Sequence, residues 1–63
     1  MKWYIQLNNG NCGIVNADDM AEAFREAKKG LNKTDRDNGI EVRSVRPATK
    51  ENIDHVKSMG GIV

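Results

Sequence analysis

The amino-acid sequence predicts an α+β fold of order ββαβα, a three-stranded mixed sheet in strand order 2-1-3 with two helices on one face. Three features of the chain lead there. An alternating apolar run runs into Asn9-Gly10, residues 17–27 carry apolar side chains at helical spacing, and a run stopped by Pro47 precedes a helix headed by Thr49.

In the first strand Met1, Trp3, Ile5 and Leu7 alternate with Lys2, Tyr4 and Gln6, the period of a half-buried strand. Asn9-Gly10 suits a type I′ turn, so a second strand returns over Asn11 to Val15. That two-residue loop sets Leu7 opposite Cys12, Ile5 opposite Ile14 and Tyr4 opposite Val15. Trp3, Ile5, Leu7, Cys12 and Ile14 then share the inner face, with Gly13 outside. The first helix is headed by Asn16, carries Asp18 and Asp19 in its first turn and Lys28-Lys29 in its last, and stops at Gly30. Its inward stripe is Ala17, Met20, Phe24 and Ala27, and Leu31 makes the apolar contact past the glycine.

Asn32 to Gly39 is polar and reads as a mobile surface loop feeding a third strand from Ile40 to about Arg46. Ile40 and Val42 share a face that Val45 leaves, which calls for a bulge near Arg43-Ser44 or a different burial of the strand's end. Pro47 has no amide hydrogen and ends the ladder. Thr49 caps the second helix, which turns Ile53, Val56 and Met59 inward and ends at Gly60-Gly61.

Composition narrows the function classes. Leu, Ile, Val and Phe supply thirteen of 63 residues, and the net charge is +1, so a small core forms without strong self-repulsion. Residues 1–63 read as a single domain. One cysteine excludes an internal disulfide, and with one histidine it leaves no zinc set, so dimerisation is the expected staple. No apolar run approaches the roughly 20 residues of a membrane span, and no leader pattern opens the chain, which predicts a cytoplasmic protein.

Chemistry-bearing residues are few. His55 has Asp54 beside it and Glu51 one turn before, yet it reads as a solvated surface histidine, and Cys12 as a structural thiol inside the hairpin. Asp35-x-Asp37-x-Gly39 has the spacing of a calcium loop but puts Gly39 and Arg46 where oxygen ligands belong, so no metal is expected. Val45-Arg46-Pro47-Ala48-Thr49 followed by Asn52-Ile53 is similar to the opening of the acetyl-CoA-dependent acetyltransferase superfamily. That family's glycine-rich cofactor turn has no counterpart here, so the similarity implies only a proline-stopped strand and a threonine-capped helix, and no cofactor.

The expected function is a non-enzymatic protein-interaction or regulatory module without a small-molecule substrate, because so small a core leaves no room for a closed pocket of roughly 300 Å³ or more. With both helices on one side, Lys2, Tyr4, Gln6 and Val15 form an open sheet face for a protein partner or a homodimer, and the edge strands offer a second route. The alternative is nucleic-acid binding through Arg43, Arg46, Lys50 and Lys57, against which stands a pI near 7.9.

Overall fold

The computed structural model describes residues 1–60. The elements are β1 (Lys2–Leu7), β2 (Cys12–Asn16), α1 (Met20–Lys29), α2 (Lys33–Asp37), β3 (Val42–Pro47) and α3 (Lys50–Ser58). The class is α+β and the strand order is β2-β1-β3, as the sequence predicts. The sheet is antiparallel throughout instead of mixed, because β2 and β3 each pair with β1 and never with each other. The order is ββααβα. The polar segment after α1 folds into α2, where the Asn32 side chain accepts from the Asp35 amide and the Asp35 carboxylate accepts from the Asn32 amide.

The hairpin departs from expectation by one residue. Gly10 has φ 92°, but no other residue from Asn8 to Asn11 has positive φ, so a type I′ turn is absent. The Gly10 amide instead donates to the Leu7 carbonyl at 3.3 Å and the Leu7 amide to the Asn11 carbonyl at 2.8 Å, closing a three-residue loop, Asn8 to Gly10. Such loops follow a type I turn with one left-handed residue, and Gly10 takes that place. The register becomes Trp3↔Val15, Ile5↔Gly13 and Gln6↔Cys12. A slip of one residue exchanges the faces of β2, so Val15 and Gly13 join Trp3 while Cys12 and Ile14 join Tyr4.

The bulge expected in β3 is present. Gln6 pairs with Ser44 and Leu7 with Val42, leaving Arg43 as the extra residue. It returns Val42 and Val45 to one side of the sheet, where both pack on the core. That core holds Trp3, Ile5, Ala17, Ala23 and Ala27. The Trp3 indole donates to the Ala17 carbonyl at 3.1 Å, so the ring is buried with its one polar atom satisfied.

α1 covers this face in a different rotation from the predicted one. Its N-cap is Asp19, whose carboxylate accepts from the Glu22 amide at 2.8 Å, not Asn16. Ala23 and Ala27 meet the sheet, whereas Met20 is 54% and Phe24 41% exposed. Small residues let the helix lie close over the Trp3 ring, and that sets the rotation.

α1 and α3 lie on opposite faces of the sheet, which corrects the one-sided arrangement. Cys12 Sγ sits 3.6 Å from Met59 Sδ, and Cys12 pairs with Gln6 on the Tyr4 side. α3 therefore lies over β2 on the face away from α1. Under it Tyr4 is 6% exposed and Val56 is fully buried. The physical reason is the hairpin register, which puts Tyr4, Cys12 and Ile14 together and gives that face its own apolar surface to cover. Thr49 caps α3 as predicted, in a reciprocal pair with Asn52, and β3 ends at Pro47. Gly61, part of the expected helix stop, lies outside the described residues.

Candidate interaction surfaces

The four residues proposed as an open sheet face do not form one. Tyr4 is buried under α3, and Val15 lies on the opposite face against the Trp3 cluster. Lys2 is exposed and Gln6 half-buried, with the Gln6 Oε1 accepting from Ser44 Oγ at 2.9 Å and Arg46 Nη2 at 3.4 Å. The Tyr4 hydroxyl lies against Cys12, and this contact, followed by burial, pushes the phenol above its usual pKa range.

What remains is the pair of edge strands, and they differ. The Leu7–Asn11 and Ala17–Met1 hydrogen bonds show that odd-numbered residues of β2 bond inward to β1. The backbone groups of Cys12, Ile14 and Asn16 therefore point outward, with no partner among the described residues. By the same parity, Ala48 N donates to the Lys2 carbonyl, so Val45 and Pro47 point outward from β3. Pro47 has no donor to offer, Arg43 bulges, and Arg43 and Arg46 add charge, three devices that blunt an edge. β2 has none of them. Its sequence Cys-Gly-Ile-Val-Asn is uncharged. Beside it an apolar hollow of about 310 Å³, lined by Leu7, Val15 and Ala27 among others, opens where Gly13 has no side chain.

The basic residues are all exposed, Arg43 in the bulge, Arg46 beside Gln6, and Lys50 and Lys57 on α3. Lys50 and Lys57 are two turns apart on one helix face, about 10 Å along the axis. Glu51 and Asp54 stand between them in sequence. His55 is exposed on the same helix, and Cys12 is half-buried. The Asp35 carboxylate is taken up by the α2 cap.

A larger feature went unread in the sequence. Between the C-terminal half of α1 and the segment joining α2 to β3 lies an open groove of about 690 Å³, with Phe24, Leu31, Ile40 and Val42 on its walls. Its signal was present in Phe24 and Lys28, one turn apart, but the groove exists only because α1 turns Phe24 away from the sheet. Comparison of the chain with known protein families, curated proteins and solved structures finds no match.

Proposed function

We propose that this chain is a non-enzymatic interaction module that associates with a second copy of itself by antiparallel pairing along β2. The supporting observation is the asymmetry of the two edges, with β3 blunted by Pro47, a bulge and two arginines while β2 keeps three outward residues and no charge. Pairing about Ile14 brings each Ile14 amide to the carbonyl of its copy and extends the sheet to twice its width. It also covers the hollow beside Gly13 with apolar side chains of the second copy.

Sedimentation equilibrium tests this with matched variants. Ile14→Pro and Val45→Pro each remove one outward amide, and the reading requires that only Ile14→Pro, with circular dichroism retained, yields a monomer. Gly13→Lys, whose side chain has open space in the monomer, places like charges near the two-fold axis and also dissociates the pair. A monomeric parent protein at millimolar concentration refutes the reading.

The second reading is nucleic-acid contact, favoured by the exposure of Arg43, Arg46, Lys50 and Lys57 and by the shared face of the two lysines. It requires binding to oligonucleotides that weakens steeply with salt and is lost in Arg43→Glu/Arg46→Glu.

A further inference from the structure

We infer that the groove between α1 and the α2–β3 segment is a second binding site, built for a protein segment that carries an acidic side chain beside an aromatic or branched aliphatic one. Phe24, the largest side chain of α1, is 41% exposed there, although the chain has few large apolar residues to spare. Leu31, Ile40 and Val42 continue the apolar wall. Two cations are held over it. Lys28 Nζ stands 5.5 Å from the Phe24 ring centroid, and Arg36 Nη2 donates to the Leu31 carbonyl at 3.0 Å.

Charge selects the occupant. Lys28, Lys29 and Arg36 face the groove against one carboxylate, Glu41. Among the described residues the sole ion pair is Lys29 with Glu26, so neither Lys28 nor Arg36 is matched there by a carboxylate. The Arg36 guanidinium is anchored by one nitrogen and leaves its remaining donors for a carboxylate fork. A neutral apolar peptide would leave both cations without a partner, and a basic one would be repelled. The groove borders β3 while self-pairing uses β2, and Leu31 lines both the groove and the hollow beside β2, so the peptide titration is run on the parent protein and on monomeric Ile14→Pro and is expected to succeed on each.

The test is selection of a random peptide library on the immobilised full chain, followed by titration of the enriched peptides. Enrichment of Asp or Glu next to Phe, Leu or Ile is expected, with amide shifts at Phe24, Lys28 and Ile40 in NMR spectra. Lys28→Glu, at an exposed position that leaves the fold intact, weakens the selected peptide roughly tenfold or more, Phe24→Ala weakens it as well, and Lys57→Glu on α3 leaves it unchanged. Enrichment without acidic residues, no enrichment, or equal affinity for the Lys28→Glu protein overturns the inference. A single-stranded oligonucleotide that moves the same amides more tightly than the peptides also overturns it, in favour of nucleic acid.

Discussion

Gly10 governs the faces of β2, because its left-handed backbone closes the three-residue loop that puts Cys12 and Ile14 beside Tyr4. Gly10→Ala is therefore expected to lose about 1 kcal/mol in urea unfolding, the cost of a side chain at positive φ, even though a Cβ there meets no neighbour. Asn9-Gly10 announced the hairpin but not its register, since that dipeptide serves both loop lengths and apolar residues stand on both sides of β1. Three consecutive large residues, Trp3, Tyr4 and Ile5, all buried, were the legible sign of a strand covered on both faces. Tyr4 also carries the alkaline response. Its phenol holds its proton to a higher pH in the folded chain than the usual value near 10, so its contribution is intact below the unfolded value and is lost as pH rises from there through the folded pKa. Ultraviolet titration of the phenolate, compared with the alkaline unfolding of Tyr4→Phe, reads this directly: the variant lacks that part of the decline.

At the scale of elements, α3 depends on its cap and on one buried side chain. Thr49→Ala removes the hydroxyl that accepts from the Asn52 amide and is expected to cost about 1 kcal/mol, while Val56→Ala, at a fully buried position, costs about 2 kcal/mol. Both are measured by denaturant unfolding, and both are expected to expose Cys12 to thiol reagents, since Met59 at the end of the same helix lies over that sulfur. A cost at Val56 below about 0.5 kcal/mol would contradict the placement of α3 on the Tyr4 face. The cap, the proline stop and the bulge were legible because each depends on local chemistry. The rotation of α1 was not, because alanine carries almost no hydrophobic signal, and Met20 and Phe24 outweigh Ala23 and Ala27 in any reading of periodicity. α2 was missed for a related reason, since a five-residue helix without an apolar stripe is recognisable only by its cap.

For the whole molecule, the two surfaces lie toward opposite edges of the sheet, self-pairing along β2 and the groove beside β3, with Leu31 between them. A pair joined along β2 carries one groove at each outer end, so a partner that displays two acidic segments would be held by both, with avidity above that of either site. The sequence pointed to edge strands as a route to association, but it could not say which edge, because that depends on hydrogen-bond parity along β1. The most direct measurement of the self-pairing is amide hydrogen exchange followed by NMR as a function of protein concentration. The Ile14 amide, which points away from β1, is expected to exchange slowly at high concentration and fast on dilution, while the outward Val45 amide is fast throughout. An Ile14 exchange rate that does not depend on concentration would contradict the self-pairing.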